Sequence, residues 1–208
     1  MLVILKLLVI DIPHLVSGIG QERTCRIEVD YLEILGNSLM KEFLPIDQMG
    51  QFQLGVTGSI AAIKAENLVK RLKGIGRVIV VMTEAAREFV APEELAKASD
   101  NRVVTDLFER YRKEKESVEH ISLAGEADLL LIAPATANII SKLANGIADD
   151  MLSTLALATQ VPILIVPAMN TDMWENAIIR ENVTKLKARG YKFVGPSCGR
   201  LASGRWGK

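Results

Sequence analysis

Apolar residues along this chain fall into two regimes that meet near residue 50. Before that point, short apolar runs alternate with charges and no repeat is visible, so residues 1–50 read as an N-terminal extension of uncertain structure. From Phe52 onward, continuous apolar runs of strand length alternate with stretches of helical period. Residues 52–56 read as a buried strand and Thr57-Gly58-Ser59 as a turn. Residues 60–73 read as a helix with Ile63, Leu68, Val69 and Leu72 on its apolar side, ended by Gly74 and Gly76. Residues 78–82 form the next strand, followed by helices around 84–90 and 92–97 and a short strand over 102–106. The charge-rich stretch 108–119 reads as a solvated surface segment. Residues 128–133 give a third long strand, with a loop at Pro134 and a helix through Leu143. Residues 149–159 read as a helix with an acid at its start, where a carboxylate favours exposed amides. Residues 161–166 are another buried strand, 176–189 a helix facing inward with Ile178, Ile179, Val183 and Leu186, and 191–194 the last strand.

Strand–helix alternation of this kind implies a parallel sheet covered on both faces. Residues 51–208 are therefore expected to form one α/β domain with a doubly wound parallel sheet, Rossmann/flavodoxin-like, in three α/β/α layers. The pattern leaves strand order open.

The chain has 208 residues, enough for one buried domain and an appendage. Its 25 basic and 25 acidic residues cancel, so no basic excess points to nucleic acid. Cys25 and Cys198 form no C-x-x-C pair, and with only His14 and His120 no metal site is expected. The apolar run 2–10 is broken by Lys6 and is too short to span a bilayer, so a soluble, cytoplasmic protein without a membrane partner is expected.

Candidate chemistry sits where strands end. Open α/β sheets bind ligands at the carboxyl ends of their strands. Gly58, Ser59 and Ile60 follow the first strand, where a glycine admits close backbone approach and a helix start favours phosphate. Thr83 ends the second strand, and Pro134-Ala135-Thr136-Ala137-Asn138 ends a later one. Pro167-Ala168-Met169-Asn170-Thr171-Asp172-Met173-Trp174 follows the strand over 161–166. Each hydroxyl taken singly reads as an N-cap, and Met169, Met173 and Trp174 read equally as caps on the core. Neither the G-x-G-x-x-G fingerprint nor the Walker lysine pattern is present. Convergence of neutral hydroxyls, amides and backbone donors suits flavin mononucleotide, FMN, whose ring and phosphate both need such groups.

Together, Gly58-Ser59-Ile60, the P-A-T-A-N stretch and the P-A-M-N-x-x-M-W segment resemble the homo-oligomeric flavin-containing cysteine decarboxylases. The run Gly146-Ile147-Ala148-Asp149-Asp150 and the histidine of His120-Ile121-Ser122-Leu123-Ala124 also fit. The resemblance covers about residues 52–208. It implies an FMN contact set of Gly58, Ser59, Ile60, Thr83, Thr136, Ala137, Asn138 and Ala168. It places His120 at the catalytic histidine, Asn170 at the residue that engages the substrate carboxylate, and Met173, Arg200 and Ala202 around the substrate. The implied reaction is decarboxylation of 4'-phosphopantothenoylcysteine to 4'-phosphopantetheine in coenzyme A biosynthesis, by a homotrimer or homododecamer. Oxidation of the substrate's CH2–SH group to a thioaldehyde gives the departing carboxylate's electron pair a place to go; reduction and protonation of the resulting enethiolate complete the cycle.

One departure changes that expectation. The family's clamp reads L-A-C-G, and this chain reads Leu201-Ala202-Ser203-Gly204. Ser203 thus stands where the family's proton-donating cysteine stands, and a hydroxyl is a far weaker acid than a thiol of pKa about 8.5. Cys198 lies five residues earlier. Oxidative decarboxylation of another cysteine-containing substrate, a flavin prenyltransferase-like activity and a non-enzymatic regulatory role stay open at this point.

Overall fold

The computed structural model describes residues 50–108, 112, 123–195, 199–200 and 206–207. Residues 1–49 of the expected extension over 1–50, most of the expected surface segment over 108–119, the expected catalytic His120, and Cys198, Ala202 and Ser203 lie outside the described residues, as does the side chain of Arg200.

Six parallel strands form one sheet: β1 (Gly50–Val56), β2 (Gly76–Met82), β3 (Val103–Val104), β4 (Leu129–Ala135), β5 (Ile163–Pro167) and β6 (Lys192–Phe193). Their order across the sheet is β3-β2-β1-β4-β5-β6, the doubly wound arrangement. The chain travels outward from β1 to β3, then returns to the other side of β1 with β4. A crevice opens where that reversal parts the connections leaving β1 and β4.

Side chains alternate across the sheet, as the period of two demands. Leu129, Leu131 and Ala133 of β4 join Phe52, Leu54 and Val56 in one core. Leu130 and Ile132 join Ile163 and Ile165 in a second core on the opposite face. Helices α1 (Ala65–Lys73) and α2 (Pro92–Ser99) cover the first face. The second is covered by α3 (Ala137–Asn145), α4 (Met151–Ala158) and α6 (Ala177–Ala188), the last preceded by the short α5 (Thr171–Glu175). Three layers follow directly from strands that are apolar on both faces. A two-stranded antiparallel pair, β7 (Gly199–Arg200) with β8 (Trp206–Gly207), stands apart from this sheet.

Several boundaries differ from the sequence reading. The expected helix over 60–73 is a 3-10 turn, Ile60–Lys64, running into α1. Only Ala62 is buried in that turn, while Ile60 and Ile63 are 53% and 59% exposed, so Ile63 does not belong to the apolar side. Residues 84–90 likewise give only a 3-10 turn, Glu84–Glu88, in which Ala86 is the buried residue, with Val90 reaching the core just beyond it. Ile178 is 67% exposed rather than inward. The buried stripe of α6 is Ile179, Asn182, Val183 and Leu186, an i, i+3, i+4, i+7 series that Ile178 falls outside. Pro134 lies inside β4, not in a loop; the β4–β5 register shifts between Ile132 and Ala135, the kind of irregularity that admits proline in a sheet interior. The sequence reading also missed α5.

Gly55 shows how closely α4 packs on the sheet. A Cβ built there would lie 2.6 Å from Leu152 Cδ1 and 3.4 Å from Ile132 Cγ1. Since Leu152 is fully buried, it has no free volume to retreat into. Gly55→Val should therefore lower stability by about 1–3 kcal/mol through overpacking, read as a shift in the urea midpoint; an unchanged midpoint would refute this packing account.

Candidate functional site

Thr57 occupies the crevice between β1 and β4. Its buried hydroxyl donates to the Pro134 carbonyl at 2.6 Å and accepts from the Thr136 N–H at 3.0 Å. One side chain therefore ties together the two connections that diverge at the reversal of strand order. Thr136 then caps α3, its Oγ1 accepting from Ile139 N–H at 3.4 Å. On the other flank, a Cβ on Gly58 would lie 2.5 Å from Ala85 Cβ and 2.9 Å from its carbonyl oxygen. The β1 connection is thus pressed against the β2 connection, and only glycine fits between them.

These contacts frame a cleft of about 480 Å³. Gly58, Thr83, Thr136, Ala137, Asn138 and Met173, all expected from the sequence, line it. Thr57, Glu84, Ala85, Ile139, Lys142 and Asp150 also line it and were not expected. Ser59, Ile60, Ala168 and Asn170 are outside the lining: the first two directly follow Gly58, and the last two precede Met173 in the connection after β5. Ser59 caps the 3-10 turn, accepting from Ala61 N–H at 3.4 Å. Ala168 donates its N–H to Ala135 at 2.9 Å, bringing the β5 connection beside that of β4.

The Met-rich loop after β5 divides its side chains between two roles. Trp174 is buried in the second core with Arg180 stacked 5.7 Å from its ring centre, and Met169 packs against the same core. Met173 is half-exposed and lines the cleft. Asn170 caps α5, its Oδ1 accepting from Asp172 N–H at 2.8 Å. That bond fixes the amide and commits its acceptor end, so the Nδ2 donor end is the one suited to an anionic oxygen.

Thr83 stands at the cap position of the 3-10 turn Glu84–Glu88 but makes no cap bond. Its Oγ1 is buried without a hydrogen-bond partner, in the wall of the cleft. A buried hydroxyl left unmatched is costly and marks a place for a ligand atom.

The charged side chains of the lining are all paired. Glu84 pairs with Arg87 at 3.0 Å. Lys142 Nζ lies 2.6 Å from both Asp149 Oδ1 and Asp150 Oδ2. Asp150 also caps α4 in a reciprocal box with Ser153. Burial alone would raise the Asp150 carboxyl, but the Lys142 ammonium and the Ser153 N–H and hydroxyl outweigh it and hold it below the usual range. Burial pulls Lys142 down, and its two carboxylate partners more than reverse that. Lys142 was legible only through its spacing: it follows Asn138 by four residues and so shares its helix face.

Because the Asp150 pKa is depressed on folding, its contribution to stability is present above the unfolded value of about 3.9 and lost as pH falls through the folded one. Asp150→Asn keeps a capping oxygen and removes the charge. The wild type should melt higher than this variant at pH 7, and the gap should shrink as pH falls below the unfolded value of about 3.9 toward about pH 2. A gap that stays constant down to that pH would show that the charge contributes nothing.

Comparison with known proteins places this geometry. Residues 47–207 match the family model described as Flavoprotein. The chain is 46% identical over 156 residues, 74% of its length, to a coenzyme A biosynthesis bifunctional protein from Bacillus subtilis, of which it spans only 38%. It is 43% identical over 154 residues to a probable phosphopantothenoylcysteine decarboxylase from Streptococcus mutans, covering 73% of this chain and 85% of that one. A solved PPC decarboxylase, a cysteine-to-serine mutant complexed with pantothenoylaminoethenethiol, superimposes with a TM-score of 0.70 at 32% identity, over 77% of this chain and 89% of that one. FMN-dependent cysteine decarboxylases are among the other solved structures it resembles.

Proposed function

This chain belongs to the Flavoprotein family, and from that premise we propose that it binds FMN and decarboxylates 4'-phosphopantothenoylcysteine on the way to coenzyme A. The observation that carries the reading is the cleft at the β1–β4 reversal, with its unmatched Thr83 hydroxyl and its lining of amides and hydroxyls. FMN fits that donor set, because it presents carbonyl, imide and phosphate groups that neutral polar atoms can satisfy. The 43% identity to a probable phosphopantothenoylcysteine decarboxylase supports the substrate.

Bound FMN would supply the two-electron oxidation of the cysteine moiety and the return of those electrons. The protein's own residues bind, orient and move protons. Gly58, Ser59, Ile60, Thr83, Thr136, Ala137, Asn138 and Ala168 are the proposed cofactor contacts. Asn170, fixed through Oδ1, offers Nδ2 to the substrate carboxylate, with Met173, Arg200 and Ala202 around it. His120 is the proposed base, a group that titrates near neutrality.

Ser203 sets the outcome. Oxidation and decarboxylation require no thiol from the clamp, whereas protonation of the enethiolate does. A serine-bearing PPC decarboxylase mutant holding pantothenoylaminoethenethiol supports a product that stops at that stage. The proposed assembly is a cytoplasmic homotrimer or homododecamer, supported by the family resemblance and by the exposed Ile60, Ile63 and Ile178. Among the described residues, no helix is long and apolar enough to cross a membrane.

Mass analysis of the product from 4'-phosphopantothenoylcysteine tests the reading. The wild type should release carbon dioxide and pass two hydrogens to the bound flavin, giving the enethiol once per flavin unless dioxygen reoxidises it, and Ser203→Cys, which lets the flavin return its electrons, should shift the product to the saturated thiol. Asn170→Asp keeps the cap but turns an oxygen toward the carboxylate, and turnover should fall by about 100-fold or more, as misplacement of a reactant does. Unchanged substrate with a flavin-loaded wild type would overturn the proposed activity. Saturated thiol from the wild type, abolished by Cys198→Ser, would instead make Cys198 the proton donor.

A further inference from the structure

Among the charged side chains lining the cleft, Lys142 has a role that neither the cofactor contacts nor the substrate contacts account for. It lies on α3 one turn beyond Asn138, on the same face, and its side chain is only 16% exposed. An ammonium has three N–H donors. Two are spent on Asp149 Oδ1 and Asp150 Oδ2, each at 2.6 Å. Asp150 cannot swing away, because Oδ1 already accepts from the Ser153 N–H at 2.8 Å and its hydroxyl at 2.9 Å. The lysine is thereby held in the cleft lining with one of its three N–H donors left over.

Charge decides what that N–H can serve. Lys142 carries one positive charge against two carboxylates, so the group as a whole is negative. A phosphate or carboxylate approaching it would be repelled by the excess. A neutral carbonyl oxygen brings no second negative charge and still gains a bond from a cationic donor, the stronger kind. Glu84 is already matched by Arg87, so it does not alter this balance.

We propose that Lys142 is a ligand-positioning residue that donates a hydrogen bond to a neutral carbonyl of the flavin ring. The proposal rests on the flavin reading above. Asp149 and Asp150 aim the ammonium and cancel its attraction for anions, so the cleft reads the ring at this corner and the phosphate elsewhere.

Titration of FMN and of riboflavin, which has the same ring and no phosphate, tests this by flavin fluorescence. Wild type should bind both, and failure to bind either would sink the flavin reading itself. K142M should weaken riboflavin about 10- to 100-fold, the worth of a hydrogen bond from a charged group, and FMN at least as much, because Asp149 and Asp150 are left without their cation. K142Q, which keeps a neutral N–H, should recover part of that loss for both. D150N leaves Lys142 with Asp149 as its one charged partner and should weaken riboflavin binding in part, by a smaller factor than K142M does. With flavin bound to the wild type, three results would each overturn the proposal. They are an unchanged K142M, a loss confined to FMN, which would make Lys142 a phosphate contact, and a D150N loss as large as that of K142M, which would make it only a tie between α3 and α4. Should K142M not fold, riboflavin affinity in K142Q decides: a loss relative to wild type supports ring recognition, and wild-type affinity refutes it.

Discussion

The Thr57 hydroxyl bonds to both the Pro134 carbonyl and the Thr136 N–H, across the line where the chain reverses its path over the sheet. Everything on the ligand side of the fold hangs from that junction. Parallel strands deliver their connections to one edge, but at the reversal the connections of β1 and β4 leave in opposite directions and would otherwise stand apart. A buried hydroxyl that both donates and accepts closes the base of the gap and leaves its upper part open. The cap on α3 begins at the next residue it holds, so the direction of α3, and with it Asn138 and Lys142, follows from the same two bonds.

A second constraint comes from below. Gly55 lets Leu152 approach β1, and the Asp150–Ser153 box starts α4 just before that contact. The same Asp150 reaches Lys142 on α3. Packing against the sheet and the charged edge of the cleft are thus two ends of one short segment. Polar anchors complete the arrangement: Gln53, buried in β1, donates through Nε2 to the Leu123 carbonyl, and Thr159 donates to that of Ala124 at 3.2 Å. They fasten the chain to the sheet and to the end of α4 just before β4 begins.

The loop after β5 shows how a single stretch serves structure and chemistry together. Trp174 and Met169 belong to the core, Met173 belongs to the cleft, and Asn170 uses one end of its amide for capping and offers the other. Reading these residues as core caps or as a ligand loop is therefore not a choice between exclusive alternatives. The five-residue α5 separates the two sets, because a helix turn sends side chains to different sides within a few residues.

By itself the sequence determined the three layers, the long strands β1, β2, β4 and β5, and the loops that carry the candidate site. These were legible because apolar runs of strand length can be satisfied only inside a sheet covered on both faces, and because the P-A-M-N-x-x-M-W segment is specific. Tertiary structure alone decided the strand order, the outward turn of Ile63 and Ile178, the entry of Pro134 into β4, and the meeting of Lys142 with Asp149 and Asp150. Each depends on what lies across from a residue rather than on what precedes it. Helical period puts Ile178 near an apolar face, yet which side of α6 is buried is set by α3 and the sheet. Likewise a threonine at a strand end reads as a cap, and only the neighbouring strand at the reversal makes Thr57 a clamp.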